Sequence, residues 1–340
     1  MNKMRTWKKA AAGILTAGLV LGGALCAVAS ESEGPSELVS DGEVIRVGAM
    51  SGPTAMGLVK LMDEAEQGET ANSYEFADLL TDASAFVAPL TEGSIDIAAV
   101  PSNLASVLYN NTQGGVEVLA INVMSVLNVV ERGDTVSTVA DLAGKTIYAT
   151  GEGATPEAVL DYVLSANGLD PDSDLTIQWC ADTTEALSYI SENEEAIAML
   201  PQPFVTAACA KVEDLHVAFA LSDEWAKIDP DSQIVTGVLV ARTEFIEEHP
   251  EEIEAFLEEY AASAAYTAQD VEGAAALVVK YGILQAEPVA QKAIPNCAIT
   301  CVTGEEMKET LSAYLDVLLE TNPKLVGGAA PADDFYYGCE

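Results

Sequence analysis

After residue 43 the chain alternates short β-rich runs with helical patterns, and this rhythm leaves few architectures open to it. Strands are expected over 44–49, 74–80, 95–100 and 116–123, with helices over 55–66, 85–92 and 103–110 between them. A chain that returns from strand to strand through helices builds a mostly parallel, doubly wound sheet. The rhythm restarts after Gly144, with strands over 146–149, 175–179, 196–200 and 215–221 and helices over 156–167, 184–191 and 204–211. The expected fold class is therefore α/β, with two doubly wound lobes.

A long apolar strand is expected over 234–241, and only helical patterns follow it, at 250–268, 271–281, 288–293 and 303–320. A helical tail without strands has no sheet of its own, so it packs back on the first lobe. The first lobe is then discontinuous, 44–147 plus 239–340, and the second, 148–238, is inserted into it. The crossings are expected near Ala149–Thr150 and over 234–238. Two lobes joined by two crossing strands leave a ligand cleft outside the carboxyl ends of their strands, and hinge closure is the expected motion.

The amino terminus bears on the compartment. Lys3, Arg5, Lys8 and Lys9 precede an apolar run, which ends in Ala27-Val28-Ala29, a small-x-small cleavage signal before Ser30. The run is near the lower length limit for a membrane span, and Gly13, Gly18, Gly22 and Gly23 interrupt it. Residues 1–29 are read as a signal peptide and 30–43 as a polar leader that stays disordered. Gly23-Ala24-Leu25 before Cys26 approximates a lipobox with Leu25 where a small residue belongs, so lipid tethering at Cys26 stays an alternative. Both readings put the chain on the outer side of the cytoplasmic membrane.

Charge narrows the partners. The chain carries 54 acidic and 15 basic residues, and four of the basic ones lie in the signal segment, so the remainder has a formal net charge of −43. Nucleic acid is excluded, because binding it requires a basic face. An anionic membrane surface is repelled as well. Acidic stretches such as 192–195 and 247–254 read as solvated helix faces, and a monomer is expected.

Enzyme chemistry is thinly supplied. His216 starts a strand and His249 sits in an acidic helical segment; neither has the spacing of a zinc site or a nucleophile–base pair. No cofactor motif is complete: the Gly151/Gly153 pair lacks the third glycine of a dinucleotide fingerprint. Cys297 and Cys301 are close enough in sequence to bridge in an oxidising compartment, or to stay a buried free pair.

The strand-to-helix loops carry the site. Ser51-Gly52-Pro53-Thr54 follows the first strand, and Pro101-Ser102-Asn103 follows the third. In the second lobe Thr150-Gly151-Glu152-Gly153-Ala154-Thr155 and Gln202-Pro203-Phe204 hold the equivalent positions. Any one of these is an ordinary helix start, where a hydroxyl caps and a proline fixes the first turn. Four of them, two per lobe, aim helix N–H groups, hydroxyls and glycine backbone at one another across the cleft.

Residues 45–54, 93–101, 141–150 (DLAGKTIYAT) and 198–204 (AMLPQPF) give the chain a resemblance to the substrate-binding proteins of ABC importers. It is similar to the branch that groups nitrate, sulfonate, taurine and thiamine-precursor binders, over residues 44–325. The resemblance implies the type II periplasmic-binding-protein fold, no catalysis and no cofactor, and a permease and ATPase as partners. It does not name a ligand. Relatives of the same fold include fungal thiamine-pyrimidine synthases, whose cysteine-rich motif and reactive histidine are not seen here. A same-fold enzyme acting on a thiamine-precursor-like compound, or a ligand-sensing module for a membrane receptor, are the alternatives.

None of Arg46, Arg132 and Arg242, the arginines after the signal segment, lies in a candidate loop, and no lysine does. Most anion sites add such a cation to their helix N-termini. Tyr109, Tyr148 and Phe204 are candidate stacking rings, and Asp82 and Glu152 candidate acids. The expected ligand is a neutral or cationic small organic molecule such as a pyrimidine-like vitamin precursor.

Overall fold

Ile45 and Val47 bury one face of the first strand, and a parallel neighbour on each side extends it into a sheet. The computed structural model describes residues 44–339, so the signal segment, the leader and Cys26 lie outside the described residues. In chain order the first elements are β1 (Val44–Ala49), α1 (Pro53–Met56), α2 (Val59–Gln67), β2 (Ser73–Phe76), α3 (Val87–Glu92), β3 (Ile97–Pro101), α4 (Ser102–Thr112) and β4 (Val116–Met124). Next come β5 (Leu127–Arg132), β6 (Thr146–Thr150), α5 (Thr155–Ala166), β7 (Thr176–Cys180), α6 (Thr183–Glu192), β8 (Ile197–Pro201), α7 (Phe204–Lys211), β9 (Leu215–Ala220) and α8 (Leu221–Ile228). The chain closes with β10 (Val235–Arg242), α9 (Thr243–Glu248), α10 (Pro250–Gln269), α11 (Val271–Lys280), α12 (Glu287–Ala293), β11 (Ile299–Val302) and α13 (Gly304–Thr321).

Two sheets form. The first has the order β11-β4-β10-β3-β1-β2 and the second β7-β6-β8-β5-β9. Both are mixed rather than wholly parallel: β10 runs antiparallel to β3 and β4, and β5 antiparallel to β8 and β9. These two strands are the ones that arrive from the other sheet, so they enter against the direction of the strands beside them.

The first crossing is therefore Ser125-Val126, between β4 and β5, and not Ala149–Thr150. Residues 127–147 accordingly include a strand of the second sheet, and β10 lies wholly in the first, so the expected division at 147/148 and 238/239 is corrected at both ends. One serine between two apolar runs is no turn signal, and the chain passes straight from sheet to sheet. The tail is not purely helical either, since β11 pairs with β4 at the edge of the first sheet.

The expected helix over 55–66 breaks at Gly57-Leu58. Helix α10 causes the break. Tyr260 fills the space that a Cβ at position 57 would need. Ser263 Oγ donates to the Gly57 carbonyl at 2.7 Å and accepts from Leu61 N at 3.0 Å, while Thr267 Oγ1 donates to the Met56 carbonyl at 3.2 Å. The backbone groups orphaned by the break are thus paired by side chains of a distant helix.

Three apolar clusters hold the layers. One lies between the first sheet and α1, α2, α10, α11 and α12. A smaller one backs the second sheet against α6 and α7. The largest runs through both sheets: Trp225 of α8 packs its ring 4.3 Å from Tyr162 of α5 and 5.8 Å from Tyr314 of α13. Helix α13 also packs on α4, β4 and β10, so the carboxyl-terminal helix fastens the second sheet to the first.

Candidate functional site

The four candidate loops stand at the carboxyl ends of β1, β3, β6 and β8. Within each sheet they form adjacent pairs, because β1 neighbours β3 and β6 neighbours β8. Hydrogen bonds through the two crossings connect the pairs. Ser102 Oγ donates to the Val235 carbonyl at 2.6 Å, Val235 pairs with Met124, and Gln202 N donates to the Val126 carbonyl at 2.8 Å. The loops after β3 and β8 are thereby pinned to the two chain segments that join the sheets.

This pinning changes the roles expected of several residues. Ser102 is 1% exposed and its hydroxyl is committed to Val235. Asn103 Nδ2 donates to the Leu325 carbonyl at 3.3 Å. Both serve the frame. Thr54 turns its hydroxyl back to the Met50 carbonyl at 2.6 Å, and its own carbonyl accepts from Asn122 Nδ2 at 3.0 Å. Ser51, Thr150 and Thr155 are partly exposed, and among the described residues their hydroxyls have no partner.

Gly52 has φ 113°, a backbone conformation that residues with a Cβ avoid, and open space surrounds it on the Cβ side. Pro53 follows as the first residue of α1, as expected. Gly151 and Gly153 also have positive φ; a Cβ at 151 would meet the Pro156 ring at 2.7 Å. Ala154 opens α5 without a side-chain cap, and Gly153 N instead donates to Glu157 Oε2 at 2.5 Å. A carboxylate of the chain itself therefore stands at the start of α5, where an anionic ligand would otherwise bind.

The loop after β8 turns through a cis peptide at Gln202–Pro203. Gln202 Oε1 accepts from Thr206 N at 3.2 Å and from its hydroxyl at 2.8 Å. Phe204 beside it is 49% exposed, while the largest core side chains are almost fully buried. Of the three candidate rings this one is exposed, Tyr148 is half-buried and Tyr109 is buried. Tyr109 packs against Phe335 with its hydroxyl on Asp334, and Tyr148 stacks on Tyr189 at 4.8 Å. Of the candidate acids, Asp82 caps the turn that begins at Ala83, and Glu152 remains exposed.

The sequence reading missed Asn122 and Ser125. Asn122 is wholly buried beneath α1, Gly237 leaves the room it occupies, and its Oδ1 has no partner among the described residues. Ser125 Oγ, on the first crossing, is likewise buried and unpartnered. The signal for Asn122 was available: it is an amide inside a run, 118–124, that is otherwise apolar.

All three arginines are engaged. Arg46 and Arg242 converge on the fully buried carboxylate of Asp96, at 2.6 Å and 3.0 Å. Burial alone would raise the Asp96 pKa, but the guanidiniums hold it below the usual carboxylate range. Arg132 Nη1 donates to the carbonyls of Ile190, Ser191 and Asn193 at the end of α6.

Cys297 and Cys301 are both free here. Burial pushes their thiols up to about 12 and about 11. His216 lies on the edge strand β9 opposite Glu131, and His249 lies against Phe245 and Glu252, both outside the candidate loops. Among the described residues no group of three or more His, Cys, Asp or Glu side chains could hold a metal ion, and no helix is long and apolar enough to cross a membrane.

The family model described as NMT1/THI5 like matches residues 114–274. No curated protein matches the sequence. Among solved structures, an ABC transporter protein from Parabacteroides distasonis superposes with a TM-score of 0.72 at 20% identity, covering 86% of this chain and 98% of that one. The periplasmic aliphatic sulphonate binding protein of Escherichia coli gives 0.69 at 18% identity, covering 86% and 92%. The alkanesulfonate-binding protein of Xanthomonas axonopodis pv. citri, bound to MOPS, gives 0.64 at 13% identity, covering 87% and 99%. The chain has the periplasmic-binding-protein fold, and the resemblance read from its four sequence segments is borne out at that level.

Proposed function

We propose that this chain is the extracytoplasmic solute-binding component of an ABC importer and captures a small organic molecule between its two sheets. The carrying observation is the pair of crossings at the carboxyl ends of β3 and β8, which leaves the candidate loops flanking two short hinges. The fold shared with the periplasmic sulphonate binding protein of Escherichia coli supports the same reading. On this reading the chain is a monomer, exported by its signal peptide, that hands its cargo to a permease and ATPase and performs no catalysis.

The ligand proposed for the cleft is neutral or cationic. Each arginine is spent inside a lobe, Glu157 stands at the start of α5, and Glu152 lies exposed in the same loop. Phe204 offers a ring face, and Ser51, Thr150 and Thr155 offer hydroxyls. A thermal-shift screen of heterocycles, amines, amino acids and sulfonates tests this. A raised midpoint with heterocycles or amines is expected; a rise with sulfonates alone would refute the ligand class and leave the clamp standing.

A further inference from the structure

A pocket lies where α7 meets α12. It has a volume of about 300 Å³. Gln202, Val205, Thr206, Cys209, Ala210 and Val217 line it from the second sheet's side, and Lys292 and Asn296, at the end of α12, from the first. Among the described residues no carboxylate lines it, in a chain with 54 acidic residues.

Gln202 is 95% buried, being 5% exposed, and its orientation is fixed. Its Oε1 accepts from the backbone N–H of Thr206, which only an oxygen can do, so Nε2 is the atom left without a partner. Lys292, like Lys145, Lys211 and Lys324, has no ion pair among the described residues, and of these four it is the one that lines this pocket. Asn296 Nδ2 donates to the Lys292 carbonyl at 2.9 Å and holds the turn that carries the ammonium. An amide N–H₂ and an ammonium that line one pocket together with Val205, Ala210 and Val217 suit a carboxylate with a short apolar tail.

We propose that this pocket binds small aliphatic carboxylates, and that the bound anion bridges Gln202 and Lys292 and so holds α7 against α12. The site is incomplete without both sheets, so occupancy favours the arrangement in which these helices touch. Its lining shares only Gln202 with the candidate loops, and it does not depend on the importer reading.

Butyrate titrated into the purified protein, followed by side-chain NMR of Gln202 and Lys292, tests the proposal, with butylamine as the charge-reversed control. Saturable shifts are expected with butyrate and none with butylamine. Lys292→Gln should weaken butyrate at least tenfold, and Lys292→Arg should restore it to within threefold. Equal affinity in Lys292→Gln, or the absence of saturable shifts, would overturn the site. Shifts confined to Ser51 and Gly52 would instead assign the anion to the cleft and overturn it equally. Because Lys292 lies in no candidate loop, cargo binding should persist in Lys292→Gln, which separates failure of this pocket from failure of the clamp.

Discussion

The Ser102 hydroxyl donates to the Val235 carbonyl across 2.6 Å and ties the start of α4 to the segment by which the chain returns to the first sheet. Removing the hydroxyl leaves a buried carbonyl unpaired, which costs about 1–3 kcal/mol. Ser102→Ala should lower the stability measured by urea unfolding by that amount. Unchanged stability would mean that the crossing does not depend on this bond.

Gly52 makes a different prediction, because a Cβ there meets nothing. Its cost comes from the backbone, where φ of 113° is strained for any other residue by about 1–3 kcal/mol. Gly52→Ala should therefore destabilise the fold even though it adds no clash, and Gly52→Val should lose ligand affinity as well. A stability equal to wild type would show that the loop relaxes freely.

Phe204 should behave in the opposite way. Its ring is half exposed, so Phe204→Ala should change stability by less than about 0.5 kcal/mol. Loss of a stacking face should weaken cleft binding about tenfold, or about 1.4 kcal/mol. Calorimetry with the cargo measures the second quantity and chemical unfolding the first.

Asp161 gives a pH signature. Burial, with Glu157 and Asp172 nearby, pushes its carboxyl up to about 6. The folded state therefore disfavours the ionised form, and stability should fall as pH rises from the unfolded value near 4 to about 6, then level off. Asp161→Asn removes that loss, so its melting temperature should exceed wild type at pH 7.5 and match it at pH 4. Equal melting temperatures at both pH values would contradict the assignment.

Cys297 is fully buried, with its thiol pushed up to about 12. It should resist alkylation in the native protein at pH 8 and react after unfolding without reductant. A Cys297–Cys301 peptide lighter by two hydrogens would restore the bridge.

The α/β class, most element positions and the four loops were legible from local patterns. What the sequence hid depends on contacts far along the chain. Strand β5 was missed because Ser125 alone separates it from β4, and nothing local marks a passage between sheets. The break at Gly57 comes from Ser263 and Thr267, about 200 residues away on α10. Tyr109 and Tyr148 read as ring donors until Phe335 and Tyr189 are seen against them. Hydroxyls suffered the same ambiguity: Ser102 and Ser51 look alike in sequence, yet one holds a crossing and the other is left open.

Closure of the two sheets on one small molecule can be tested by native mass spectrometry of the protein, purified gently from its producing cells and compared before and after denaturing release. One released compound is expected at equal stoichiometry, neutral or cationic, that rebinds to the refolded protein and binds Phe204→Ala about tenfold more weakly. A protein that releases nothing and binds no member of the ligand screen, or that converts what it binds into a product, would contradict it.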